Sequence, residues 1–228
     1  MAILKLIPND GTYDQMKPLR WISGCKVLRS YDLSSATDRF PLDFQFIVVE
    51  NQFGREVARS WVDSGLEANI FQAPDGSKER LIHFTVGQPL GYLSSWPLFT
   101  LCHHIVVWLA AESVYPGRKF SKYALLGDDI VIGDKRVADA YFQLITMFGV
   151  SISLPKSLVS DSAFFEFAKR FRGPGKGLLF PSSSSLQMTG DSDADWAGDA
   201  LDRKYITGNK LYCHWRQLYI VEEQEAAA

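Results

Sequence analysis

The sequence predicts an α/β (α+β) domain with a central antiparallel sheet flanked by helices, and three features point there. Two short apolar runs, Ala124–Leu126 and Ile130–Ile132, flank Gly127-Asp128-Asp129, the pattern of a strand, a tight turn and a second strand. A further run, Lys26–Tyr31, reads as a strand ending at Asp32. Helical spacing marks Leu98–Glu112 and Lys135–Phe148. With 228 residues and 46% hydrophobic content, the chain can bury one substantial core.

Taken in order, residues 3–20 carry Pro8 and an Asn9-Asp10-Gly11 turn and read as an extended approach to the first strand. After Asp32 come Ser34, Ser35 and Thr37, all cap and turn formers, and then Pro41, suited to the first turn of a helix through Phe53. A strand thus delivers Asp32 and the following turn delivers Asp38. A carboxylate at the end of a buried strand is costly unless it meets a cation. Asp38 serves equally well as a helix N-cap. Residues 55–72 continue as helix with Val57, Trp61 and Val62 on an apolar side, until Pro74-Asp75-Gly76 turns the chain.

Arg80–Val86 alternates like a strand and leads into a loop rich in glycine and hydroxyls that contains Gly87, Gln88, Gly91, Ser94 and Ser95. Ser94 or Ser95 would cap the helix that follows, with Pro97 near its first positions. Such a loop exposes backbone N–H groups that can approach a phosphate or sugar, or it simply joins strand to helix. His103 and His104 are adjacent and point in different directions, which predicts packing and hydrogen bonding rather than metal ligation. In Lys135–Phe148 the apolar positions Val137, Tyr141, Leu144 and Ile145 form one face, with Gly149 as the stop. This helix packs and is assigned no chemistry. Val150–Leu154 reads as a short strand followed by Pro155-Lys156-Ser157. Phe164–Phe171 alternates apolar and charged residues, with Lys169 and Arg170 on a solvated face or against a phosphate backbone. Gly173–Gly177 and Leu178–Phe180 suggest a second hairpin.

Composition narrows the classes. Cys25, Cys102 and Cys213 lack the spacing of a disulfide framework or zinc site. The most apolar stretch, Trp96–Ala111, is interrupted by the two histidines and reads as too short to span a bilayer. The N-terminus has the pattern of neither a signal peptide nor a transit peptide. The net charge of −2 argues against an autonomous basic nucleic-acid binder. That charge is uneven: residues 189–228 hold four Lys/Arg and eight Asp/Glu, against 20 and 18 in the rest. The run Ser182–Ser185 marks a junction, and Glu222–Ala228 reads as solvated.

If the strands ending at Asp32 and starting near Asp129 pair, three carboxylates converge. That set could hold two Mg²⁺ (or Mn²⁺) ions that activate a 3′-hydroxyl and stabilise a leaving pyrophosphate, the chemistry of a polymerase palm. The stretches IPNDGTYDQ, YDLSSATDRFP, HFTVGQPLGYLSSWPLF, YALLGDDIVIG, SISLPKS and FEFAKRF, in this order, closely resemble the palm of mitovirus RNA-dependent RNA polymerases, motifs A to E, over about residues 7–180. The resemblance implies that Asp32 and Asp128 ligate the metals with Asp129 in support, and that Asp38 contacts the ribose of the incoming nucleotide. It implies that the Gly87–Ser95 loop helps select ribose and position the template, and that Lys156 protonates pyrophosphate. The Phe165–Phe171 hairpin with Lys169 and Arg170 would cradle the primer strand. It further implies RNA template, primer and nucleoside triphosphates as partners, a mitochondrial setting, and a fingers segment that this chain lacks. A reverse transcriptase is disfavoured, since those enzymes usually place Tyr-X-Asp-Asp at this hairpin and here Leu126-Gly127 precede Asp128.

The expected organisation is therefore a partial palm over residues 1–181, a Ser-rich junction at 182–188 and a foreign tail at 189–228. Thr189–Trp215, TGDSDADWAGDALDRKYITGNKLYCHW, resembles the start of the ribonuclease H domain of copia-type retrotransposons. Asp193 would match its first metal-binding Asp, and with no partner carboxylates in reach no hydrolase follows. A chimera of this kind suggests a rearranged genomic copy, and the alternative to an active polymerase is a non-catalytic remnant.

Overall fold

Strand β1, Leu28–Ser34, is the axis of the sheet because both of its edges are paired. On one side it runs antiparallel to β5, Asp129–Ile132, with Tyr31 opposite Ile130 and Asp32 opposite Asp129. On the other side it meets β7, Leu158–Ser160, near its start and β6, Ser151–Ile152, near its end, both antiparallel. The strand β4, Tyr123–Leu126, lies outside β5 and closes the order β4-β5-β1-β6. The structure, a computed structural model, describes residues 2–63, 70–72, 81–82, 84, 86–88, 91 and 93–174. All belong to the first of two units, Met1–Leu178. The Ser-rich junction, the ribonuclease H-like stretch with Asp193, the Pro74-Asp75-Gly76 turn and the expected elements at 175–180 lie outside the described residues.

The period of two along each strand decides what each face carries. Tyr31, Leu33, Tyr123, Leu125, Ile130 and Ile132 point to one side and pack with α5, Ser95–Val114, and α6, Lys135–Met147. Leu28, Ala124 and Val131 point to the other and pack with Ile22 and Phe167. The helices are amphipathic or buried to match. In α6 the residues Val137, Ala138, Tyr141 and Ile145 are buried, Asp134 caps the N-terminus by accepting from the Val137 N–H, and Gly149 follows with φ +75°.

Several expected boundaries move. The helix before the Gly-Asp-Asp turn starts at Ser95 rather than Leu98, because Pro97 is tolerated inside the first turn. At 20 residues and a mean hydropathy of 1.3 it is long and apolar enough to cross a bilayer by composition, contrary to the length read from the sequence. Half of it is nevertheless buried inside the fold, with Phe99, Cys102, Val106, Val107 and Ala110 fully covered. Of the helix expected over 55–72, α4 spans Arg55–Val62, while Phe71–Gln72 is a strand (β2) paired with Leu81–Ile82 (β3). The buried stripe of α4 is Ala58 and Val62, one turn apart, while Val57 is half-exposed. The helix after Pro41 spans Leu42–Phe53 (α3) as expected, following a single turn of helix at Ala36–Arg39 (α2).

The extended approach read for residues 3–20 holds only in part. Ala2–Leu6 is helical (α1) and Pro18–Trp21 forms a 3-10 turn. Between them Asn9–Gly11 lies along the outer edge of β4: Leu125 donates to the Asn9 carbonyl at 3.0 Å, and Gly11 donates to the Leu125 carbonyl at 2.8 Å. The supposed turn is therefore an extra edge segment, and it covers a strand edge that would otherwise be open.

Candidate active site

Asp32 stands near the end of β1 and Asp129 at the start of β5, directly opposite each other. Residues opposite in an antiparallel pair share a face, and here it is the face of Ser30 and Val131, away from α5 and α6. Gly127-Asp128 forms the two-residue turn that precedes Asp129, with φ +57° at Gly127. Glycine is required twice over, since a Cβ there would lie 1.9 Å from the Trp96 ring.

Burial first, and then the neighbouring Asp129 charge, pushes the Asp128 carboxyl up from 3.8 to about 6. Asp129 is also pushed up to about 6, by burial and by the charges of Asp32 and Glu166, against the opposing pull of Lys169. These carboxylates hold negative charge reluctantly without a cation beside them. The cation present is the Lys169 ammonium, 3.1 Å from Asp32 Oδ1 and 3.4 Å from Asp129 Oδ1. Burial works against the Lys169 charge, but Asp129 and Asp32 outweigh it and hold the group above the ordinary lysine range.

Lys169 reaches this position because the chain reverses where no glycine announces it. Phe165–Phe167 (β8) and Arg170–Arg172 (β9) pair antiparallel around Ala168-Lys169, whose φ angles are +54° and +58°. A two-residue turn with both φ positive is the type I′ geometry, normally given to Asn-Gly, and each non-glycine residue in it costs about 1 kcal/mol. The basic pair expected on one strand face is thus split, with Lys169 at the tip on the carboxylates and Arg170 exposed at the start of β9.

The donors at this site are all hard oxygens, which suit Mg²⁺ or Mn²⁺. Among the described residues no three His, Cys, Asp or Glu side chains form a ready-made metal cage. Two opposed carboxylates with a third adjacent fit an ion that takes its remaining ligands from phosphate and water.

Two adjacent histidines of α5 support the site from behind. His103 Nδ1 lies 2.7 Å from the Gly127 carbonyl, and Nε2 lies 2.6 Å from the Tyr141 hydroxyl. A carbonyl only accepts, so Nδ1 carries the proton and Nε2 accepts from Tyr141. Trp96, two turns earlier on the same helix face, covers the same turn. His104 points elsewhere: Nε2 lies 3.1 Å from Asp10 Oδ2, and Nδ1 lies 3.0 Å from the Tyr123 hydroxyl, which also accepts from Trp108. Asp10 is 2% exposed and locks the N-terminal segment to α5. Sequence reasoning placed the two histidines in packing but missed Asp10, whose only local signal, an Asn-Asp-Gly triplet, mimics a turn.

The loop between Val86 and Ser95 is drawn against the turn that carries Asp38. Leu42 donates to the Val86 carbonyl and Gln88 donates to the Thr37 carbonyl. Gln88, expected to touch a nucleotide, is 1% exposed and donates to Gln45 Oε1 of α3 at 2.7 Å and to the Ser95 carbonyl at the start of α5, because a buried amide satisfies buried acceptors. Ser95 is likewise buried at the start of α5, and Ser94 Oγ accepts from Trp61 Nε1 rather than capping the helix. Asp38 and Gly91 are exposed. Lys156 sits partly buried in a 3-10 turn whose neighbours Ser153 and Ser157 bond the Asp32 backbone. A Cβ on Gly87 would lie 2.2 Å from the Asp38 carbonyl carbon and oxygen. Gly87→Ala is therefore expected to lower stability by about 1–3 kcal/mol, read from urea unfolding; an unchanged midpoint would show that the loop and the Asp38 turn do not need this contact.

Comparisons with known proteins agree with this geometry. A family model, mitovirus RNA-dependent RNA polymerase, matches residues 1–186. An uncharacterised mitochondrial protein of Arabidopsis thaliana is 47% identical over 156 residues, covering 67% of this chain and 76% of that one. The RNA-directed RNA polymerase of Cryphonectria parasitica mitovirus 1 is 37% identical over 183 residues, covering 78% of this chain but 22% of the viral protein. In fold, the RNA-dependent RNA polymerase of a human picobirnavirus aligns with TM-score 0.56 at 19% identity, over 75% of this chain and 34% of that one. A Candida albicans telomerase also aligns, with TM-score 0.54 at 10% identity over 76% of this chain and 34% of that one, a likeness of fold. The retrotransposon-like stretch 189–215 lies beyond the residues matched by the family model. The pairing of Asp32 with Asp129 on a helix-backed antiparallel sheet, and a family match spanning residues 1–186, place this chain in the mitovirus RNA-dependent RNA polymerase family.

Proposed function

We propose that this chain is the palm of an RNA-dependent RNA polymerase that joins nucleoside triphosphates to a primer end on an RNA template. The observation that carries the reading is the opposition of Asp32 and Asp129, with Asp128 in the adjoining turn. Asp32, Asp128 and Asp129 would hold two Mg²⁺ or Mn²⁺ ions, which when bound supply Lewis acidity toward the attacking hydroxyl and the triphosphate. Asp38, exposed on its turn, receives the ribose of the incoming nucleotide. The backbone around Gly87 and Gly91, with Ser94, borders that ribose and the template, while Gln88 and Ser95 hold the loop in place from within. Lys156 gives a proton to the departing pyrophosphate, and the hairpin bearing Lys169 and Arg170 lies along the primer strand.

In this reading residues 1–181 are the palm, 182–188 a junction and 189–228 an appended tail, and the fingers that wall the RNA channel come from a further segment. Mitochondrial relatives support a mitochondrial location. The test is primer extension on an RNA template by the full chain with Mg²⁺ or Mn²⁺, beside Asp32→Ala. Extension lost in that variant is the expected result. No extension by a folded wild type would favour a non-catalytic palm.

A further inference from the structure

We propose that the Lys169 ammonium is a built-in occupant of the cation site, which neutralises Asp32 and Asp129 in the metal-free protein and must withdraw before a divalent ion can bind. The inference rests on reading these carboxylates as metal ligands. It follows from where the ammonium lies: a single nitrogen bonds Oδ1 of both opposed carboxylates, at 3.1 Å and 3.4 Å. A divalent ion sharing those two oxygens would sit at about 2.1 Å from each, inside the space the ammonium fills. Two cations cannot share it.

The hairpin is built so that its tip can leave while its body stays. Phe167 is buried against the sheet, and the Glu166 N–H donates to Ser30 Oγ, so β8 is anchored to β1. The tip is different. Ala168 and Lys169 both hold left-handed backbone angles, and the Lys169 side chain is 45% exposed, with a route to solvent. A strained turn held in place by an ion pair relaxes when that pair is broken. Metal loading and the position of the hairpin tip are therefore linked, and by reciprocity whatever draws Lys169 away favours the metal. A primer phosphate is the chemistry best suited to receive the released ammonium. Primer arrival and metal arrival would then support each other.

The test compares Mn²⁺ affinity of the full chain, by electron paramagnetic resonance of free Mn²⁺, with that of Lys169→Met and Lys169→Arg. Removing a positive charge this close shifts a binding equilibrium by about one to three decades, so Lys169→Met is expected to bind Mn²⁺ at least about tenfold more tightly, and Lys169→Arg like wild type. In wild type, Mn²⁺ should raise amide hydrogen exchange at residues 168–170, a measurement that needs no substitution. Equal or weaker binding by Lys169→Met, or an exchange pattern indifferent to Mn²⁺, overturns the inference while leaving the metal site in place. Absence of Mn²⁺ binding by wild type and Lys169→Met alike overturns both the inference and the polymerase reading.

Discussion

Asp128→Asn is expected to make the fold more stable and the site inert. In the metal-free protein Asp128 titrates at about 6 against an ordinary 3.8, so the folded state holds this proton more tightly than the unfolded one. For an acid raised in this way the contribution to stability is full below the unfolded pKa and is lost as pH rises through the folded value. At 1.36 kcal/mol per pKa unit, and allowing for partial solvent access, the ionised Asp128 costs the fold about 1–3 kcal/mol at pH 8. An Asn of the same shape escapes that cost. Urea unfolding in EDTA should therefore find the variant more stable than wild type at pH 8 and nearly equal to it at pH 3.5. With Mn²⁺ present the order reverses, since only the carboxylate gains a metal ion to ligate, and templated extension should fall by about a thousandfold or more. A variant less stable than wild type in EDTA at pH 8 would show that Asp128 is already satisfied by groups other than a metal.

His103→Ala is expected to be among the most damaging single changes in the domain. The ring is fully buried and bonded at both nitrogens, and burial pushes its pKa down to about 3, so it stays neutral wherever the protein is folded. Removing it leaves the Gly127 carbonyl and the Tyr141 hydroxyl without partners and opens a cavity between α5, α6 and the Gly127 turn. Together these cost about 3–5 kcal/mol. His103→Phe separates the two effects, filling the space while breaking both bonds, and should cost about 1–3 kcal/mol. Because the acceptor left unpaired belongs to the residue before Asp128, His103→Phe should also weaken Mn²⁺ binding. Weakened stability with unaltered Mn²⁺ affinity would make His103 a core residue with no bearing on the turn.

The elements that could be read in the sequence are those whose signals are local. Tyr123–Gly133 carries its period and its turn glycine in eleven adjacent residues, and α6 carries a stripe between Asp134 and Gly149. The opposition of Asp32 and Asp129 was legible only as a condition, that two strands about a hundred residues apart should pair. The β8–β9 hairpin was legible only through the family resemblance, at Phe165–Phe171; the residue pattern alone read as one alternating strand because Ala168-Lys169 lacks any turn former, and Phe167 below and the carboxylates beside it hold that turn. Gln88 read as a ligand contact because polar residues in glycine-rich loops often are. Two of its partners, Gln45 and Thr37, lie on a different stretch of chain and leave no trace at positions 87–95, and the third is the Ser95 carbonyl at the start of α5. Asp10 was hidden for the same reason.

The central position of β1 also determines the order in which the chain can become a structure. Its strand partners on both sides, β5, β6 and β7, are all made about a hundred residues after it, so a ribosome releases β1 with both edges bare and nothing yet to pair with. Closing so long a loop costs little more in entropy than closing a shorter one, but it is slow, and an unpaired apolar strand is a template for the wrong neighbour in the meantime. Synthesis halted before Asp129 would leave the strand that bears Asp32 without a ladder on either edge, prone to associate rather than fold.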